Sequence, residues 1–250
     1  MSYKNDKTLD IHLIDKYLSE LSKELKKEYG KHKEFEIILV GGAAIILNYD
    51  FRGGTTDIDT FVSSGGAIKD ASYRVADKFD LPSDWLNSDF RRTKSYSPHL
   101  VQYSKFYKRF NQILNVRTIT REYLVAMKLI SFRAYKRDKS DIVGIIEAHK
   151  NSENPIRFEE VQTAVTNLYR NWDAISEEAK EFVEKVLSGS VSYETEILGE
   201  DEGKEILLEI EEKYDNVLNT SNVNTILEQI RAKKKSEAGD LWAKNILFIK

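Results

Sequence analysis

An α/β fold that gives way to a mainly helical C-terminal half is what this sequence predicts, and three observations carry the prediction. A short apolar strand, a helix and a second apolar strand follow one another between residues 35 and 62. Amphipathic helical spacing precedes them over 9–29, and four helix-favouring segments fill the chain beyond residue 155.

The elements follow in order. Leu9, Leu13, Ile14, Leu18, Leu21 and Leu25 recur at helical spacing with Lys and Glu between them, and Gly30 stands where that helix stops. Residues 35–40 read as a strand, 43–49 as a helix and 58–62 as a second strand entered through the turn at Gly53-Gly54. Gly65-Gly66 breaks the chain before a helix over 67–79, and Pro82 ends that region near the apolar pair Trp85-Leu86. Residues 110–120 are strand material, and 121–135 form a helix bearing Leu124, Val125, Met127, Leu129 and Ile130. Residues 141–149 form another helix. A seam at Asn151-Ser152-Glu153-Asn154-Pro155 divides the chain into domains 1–150 and 151–250. In the second, helices are expected over 158–170, 177–187, 204–218 and 223–232. The acidic run 194–212 and the basic run Lys233-Lys234-Lys235 read as solvated helix faces.

Composition narrows the chemistry. With 250 residues, 41% of them hydrophobic, the chain can bury a sizeable core. The absence of Cys excludes disulfides and thiolate metal sites, and His12, His32, His99 and His149 lack metal-ligand spacing, so a zinc enzyme is discounted. A formal charge of -3 gives no global attraction to polyanions, which leaves that role to a local patch. The polar start and the lack of any long apolar run predict a cytoplasmic protein with no membrane segment.

The chemistry concentrates between residues 40 and 62. Gly41 and Gly42 follow the first strand and open a helix, where backbone N–H groups can meet a phosphate. Asp57 and Asp59 lie two apart in a β-branched run, so a period of two sets both carboxylates on one face of a strand, an arrangement that chelates Mg²⁺. Arg52 and Thr56 stand just before them.

This order, Gly-Gly, a helix, then Arg-x-x-x-Thr-Asp-x-Asp, resembles the nucleotidyltransferase superfamily that includes DNA polymerase β. It is more similar to the small prokaryotic members around the AbiEii-type toxins of abortive-infection systems. Leu81-Pro82-Ser83-Asp84-Trp85-Leu86-Asn87, Ala126-Met127-Lys128-Leu129, Arg133 and Lys139-Ser140-Asp141-Ile142 resemble that group's later motifs, and the likeness covers residues 37–146. It implies a mixed sheet flanked by helices, transfer of a nucleotide from NTP to an acceptor, and two Mg²⁺ ions on Asp57 and Asp59. It further implies nucleotide contacts from Gly41, Gly42, Arg52, Thr56 and Arg133, catalytic roles for Lys128 and Asp141, and an antitoxin protein as partner. From the residues alone, Lys128 equally suits a lysine snorkelling from an apolar helix face, and Asp141 suits the N-cap of the following helix. The chain departs from the pattern twice. Ala43 stands where many members have a hydroxyl, leaving Thr55 or Thr56 to substitute, and the strand over 112–118 offers Asn115 where many have a third acid.

Residues 90–110 hold Arg91, Arg92, Lys94, Lys105, Lys108 and Arg109, no acid, and interleaved aromatics. Two readings suit those letters: an RNA or tRNA acceptor site, or an alternating strand with one solvated basic face. The acceptor under the first reading is RNA; a protein side chain is the other candidate. A catalytically silent binding module and an antibiotic-modifying transferase are the competing readings of the whole chain.

Overall fold

The computed structural model describes residues 8–62, 65–133, 136–213, 222–223, 225–230 and 232–233. The polar start 1–7, Tyr135, the end of the expected helix at 214–218, Asn224 and Arg231 of the last expected helix, and Lys234 and Lys235 of the basic run lie outside the described residues.

Helix α1 (Ile11–Tyr29) begins where the Asp10 carboxylate accepts the Leu13 N–H at 2.8 Å, and it ends at Gly30, whose φ is +74°. Its stripe of Ile14, Leu18, Leu21 and Leu25 is buried. Strand β1 (Phe35–Leu39), helix α2 (Gly41–Asn48) and strand β2 (Ile58–Val62) form the expected strand, helix, strand unit. Helix α2 carries no charge and buries Ala43 through Leu47, as a helix apolar all round must. Helix α3 (Gly65–Phe79) packs on α1, and Arg74 and Lys78 pair with Glu20, Glu24 and Glu28 along the seam. The Gly65-Gly66 pair is the first turn of α3 and not a break before it, since a helix's first residues forgo few intrahelical bonds.

Strands β3 (Leu86–Asn87), β4 (Ser104–Phe110) and β5 (Leu114–Ile119) complete a sheet of order β3-β2-β1-β5-β4. β1 runs antiparallel to β2 and parallel to β5, so the sheet is mixed, as expected. The strand expected over 110–120 is the end of β4, a turn, and β5. Asn111 and Gln112, at φ 44° and 67°, reverse the chain there. Helices α4 (Arg121–Ser131), α5 (Asp138–Lys150), α6 (Phe158–Tyr169), α7 (Glu177–Leu187) and α8 (Tyr193–Lys213) follow. Phe132, at φ 38°, ends α4 short of the expected residue 135.

The chain divides into two compact units, one of residues up to 131 with 141–190, the other of 132–140 with 191–250. The first holds the sheet, and α6 and α7 pack on α4 within it. The second has its own small core of Ile206, Leu207, Val223 and Leu227, and in it the buried Glu200 accepts the N–H groups of Lys139 and Ser140 at the start of α5. Among the described residues no helix is long and apolar enough to cross a membrane.

Candidate active site

Strand β2 sorts its side chains by alternation. Ile58 and Thr60 are buried, whereas Asp57, Asp59 and Phe61 are half-buried and share the other face. Asp57 stands one residue before the strand and Asp59 within it. The Val40 N–H donates to the Asp59 carbonyl at 3.0 Å, which sets Asp59 beside the start of α2. On the other side, Trp85 is sunk in the core with its indole N–H on the Ser72 carbonyl at 3.0 Å, and its own carbonyl accepts the Ile58 N–H at 2.8 Å. That anchor lays Asn87 alongside Asp59 in β3, and the Asn87 amide donates to Asp57 Oδ2 at 2.9 Å. Asn87 is thus an orienting residue whose role sequence reasoning missed. Its only signal was its place at the end of the Leu81 to Asn87 motif.

The two glycines serve different ends. Gly41 takes φ +58°, which an L side chain resists, and a Cβ there would stand 3.5 Å from Asp59 Oδ2. At Gly42 a Cβ would come within 2.8 Å of both Arg52 Nη2 and Thr55 Oγ1, so the missing methyl is what lets these two side chains reach the first turn of α2. From there the Arg52 guanidinium continues to the Asp141 carboxylate, which also takes Lys128 Nζ at 2.7 Å. Asp141 is 1% exposed, and it holds both Arg52 and Lys128, whose side chains are largely enclosed. Gly144, one turn further along α5, leaves room for the Phe51 ring to lie against the helix, which fixes the segment that carries Arg52.

The structure therefore brings Gly41, Gly42, Arg52, Asp57, Asp59, Lys128 and Asp141 together from four parts of the chain. Thr56 is exposed, its hydroxyl 3.4 Å from Asp57 Oδ1, whereas Thr55 is the buried one. Arg133 lies in the second unit, where it grips Asp138 through its backbone N–H and its guanidinium. Asp141 is not the N-cap of its helix. α5 starts at Asp138, and Glu200 binds its first N–H groups instead. Asn115 sits opposite Glu36 near the far end of β1, while Thr118 is level with Leu39 and Thr60, so no acid occupies β5 beside Asp59. Among the described residues no group of three or more His, Asp or Glu side chains is placed to hold a metal. Two carboxylates suit Mg²⁺, which is held by one or two acids together with substrate phosphates and prefers oxygen donors.

The basic, aromatic stretch splits in two. In β4, Lys108 pairs with Asp15, Arg109 with Glu34, and the Tyr107 hydroxyl donates to Asp15, while Tyr103 stacks on Tyr123 at 3.7 Å. This half is the solvated strand. Arg91, Arg92 and Lys94 are exposed in and after a 3₁₀ turn beside β2. Arg91 lies over the Phe61 ring at 4.7 Å, and Tyr96 lies parallel to Phe61 with centroids 6.4 Å apart. Helix α6 pins this loop, since Ser97 donates to the Leu168 carbonyl and Tyr169 to that of Ser95.

A protein family described as a nucleotidyltransferase of unknown function, DUF6036, matches residues 16–148, more than half of the chain. The chain belongs to the DUF6036 family. Membership bears out the nucleotidyltransferase resemblance, and the match spans β1 through all but the end of α5, including every residue of the cluster around Asp59 and Asp141. No curated protein and no solved structure matches this DUF6036 member.

Proposed function

We propose that this DUF6036 member transfers a nucleotide from an NTP to an acceptor hydroxyl, with Mg²⁺ bound by Asp57 and Asp59, and that the acceptor is RNA. The observation that carries the reading is the convergence of the Asp57–Asp59 face with Arg52 and Lys128 around the Gly41-Gly42 turn. In such a reaction the acceptor oxygen bonds to the α-phosphorus, the bond to the β-phosphate breaks, pyrophosphate leaves and the acceptor proton passes to solvent. Charge accumulates on the phosphates as this happens. Bound Mg²⁺ supplies Lewis acidity, lowering the acceptor pKa and screening the leaving group.

The protein's own groups do the rest. Asn87 keeps the Asp57 carboxylate turned in one direction. Arg52 and Lys128 bring two positive charges to the start of α2, whose dipole also favours anions, and Asp141 holds both in place. Exposed Arg91, Arg92 and Lys94 beside Phe61 and Tyr96 offer phosphate neutralisation and a base-stacking surface two residues from Asp59, which favours a single-stranded RNA acceptor over a small hydroxylated one. Modification of a cellular RNA would make the protein a growth inhibitor, as a toxin paired with an antitoxin protein is.

The test is to incubate the protein with Mg²⁺, each of the four NTPs labelled at the α-phosphorus, and total cellular RNA, beside the Asp57→Asn, Asp59→Asn double variant. Label enters RNA with wild type and falls at least a hundredfold in the variant. Equal labelling by both would remove the carboxylates from the mechanism.

A further inference from the structure

We infer that Glu200 sets the position of Asp141, and through it of Arg52 and Lys128, so that this residue of α8 governs how tightly the nucleotide is held; this rests on reading the site as a nucleotide site. Glu200 lies outside residues 16–148, the part of the chain that the family match covers. The acidic run 194–212 reads from the sequence as a solvated face, and Asp201 and Glu202 are exposed, but Glu200 is 5% exposed. A buried carboxylate is costly unless donors surround it. The N–H groups of Lys139 and Ser140 reach its Oε1 at 3.0 and 3.1 Å, and the Ser140 hydroxyl, itself wholly buried, donates to Oε2.

These bonds fall on a single turn. α5 starts at Asp138, so Lys139, Ser140 and Asp141 complete its first turn, where backbone N–H groups have no partner inside the helix and the turn frays unless something outside binds them. A side chain just before the helix is the usual source of such a cap. Here a carboxylate of α8 delivers it, and its charge suits the positive end of the helix. Lys139, Ser140 and Glu200 belong to one compact unit, and Asp141 follows Ser140 in the same turn, so the helix backbone carries the constraint to the Asp141 carboxylate. That carboxylate holds Arg52 and Lys128, which come from separate segments and have to meet at one point. Fraying of the turn moves the carboxylate and lets both cations drift from the Gly41-Gly42 turn. The Asp138 carboxylate binds Arg133, which precedes the helix, and this makes it the natural control. Glu200 is therefore a positioning residue for nucleotide binding.

The experiment compares the full-length wild type with E200A, E200D, E200Q and D138N. Each is titrated with Mg²⁺ and the four NTPs in turn, and its thermal midpoint is measured without nucleotide. For the NTP that wild type binds, E200A weakens Kd about tenfold, and so does E200D, whose carboxylate is withdrawn by one methylene. E200Q, whose amide oxygen still accepts N–H bonds, stays within about threefold of wild type. D138N also melts lower, yet its Kd stays within about twofold, so a loss of binding that merely follows stability would appear in both. A folded E200A or E200D that binds the NTP as wild type does overturns the role of Glu200 and leaves the nucleotide site standing. Equal weakening in D138N overturns it too, because binding then follows stability. If wild type binds none of the four NTPs, the reading beneath it fails as well.

Discussion

Asp138 and Asp141 stand three residues apart in α5 and are both buried, yet they are used in opposite ways. Asp138 is gripped by Arg133, five residues before it, through the backbone N–H at 3.0 Å and the guanidinium at 2.9 and 3.1 Å. That pairing is local in sequence. Asp141 instead gathers Arg52, 89 residues away, and Lys128. A local pair shapes the chain, whereas a distant one holds charges in place for something else. In the second case the held cations stand near the turn where an anionic substrate is proposed to bind.

The largest test of this contrast is D141N. With the central anion gone, Arg52 and Lys128 repel and lose their anchor, so transfer falls about a hundredfold or more and stability falls by about 3 kcal/mol, read from initial rates and denaturant unfolding. Full activity in a weakened D141N protein would make Asp141 as structural as its neighbour. D138N is expected to do the reverse, costing about 2 kcal/mol in unfolding while the Kd for NTP stays within about twofold. Collapse of NTP binding in D138N would erase the distinction.

How much of this was legible follows the same division between local and distant. The strand, helix, strand unit could be read because β2 buries alternate residues and α2 is a run without charge; both are properties of neighbours in sequence. The side chains of Asp57 and Asp59 share a face for that reason. Three features were hidden. Arg52 and Asp141 were both singled out, but nothing in either segment says that they meet. Thr55 and Thr56 differ only in which way the backbone turns them, and the bonds from Leu9 decide it. The spacing predicts a helix from Asp141, whose carboxylate also suits an N-cap; the helix starts at Asp138, and the distant Glu200 binds its first N–H groups. Strand β4 was one of two readings of a basic, aromatic stretch, and its partners Asp15 and Glu34 lie in distant segments.

The smallest expected effect is at the other end of α5. His149 is held below its ordinary pKa of 6.5 by burial first, then by Arg121 and Lys105, with Glu122 opposing. Its Nδ1 faces Arg121 Nη1 at 3.3 Å and its Nε2 meets the Tyr49 hydroxyl at 3.2 Å, and Tyr49, itself pushed up to about 12 by burial, stays neutral. The unfolded chain takes up a proton at a pH where the folded protein does not. Stability is therefore full above pH 6.5 and is lost as pH falls through the folded-state value. Thermal midpoints of wild type and H149Q between about pH 5 and 8 should diverge on the acid side, H149Q having the shallower slope. Parallel curves would remove His149 from the account.

The central claim is the class of reaction at the Asp57–Asp59 face, and the most direct measurement is to follow one NTP labelled in turn at its α- and γ-phosphorus, with Mg²⁺ and cellular RNA. Nucleotidyl transfer sends the α-label into RNA and the γ-label into pyrophosphate. Appearance of the γ-label in the acceptor would mean phosphoryl transfer instead and would contradict the account.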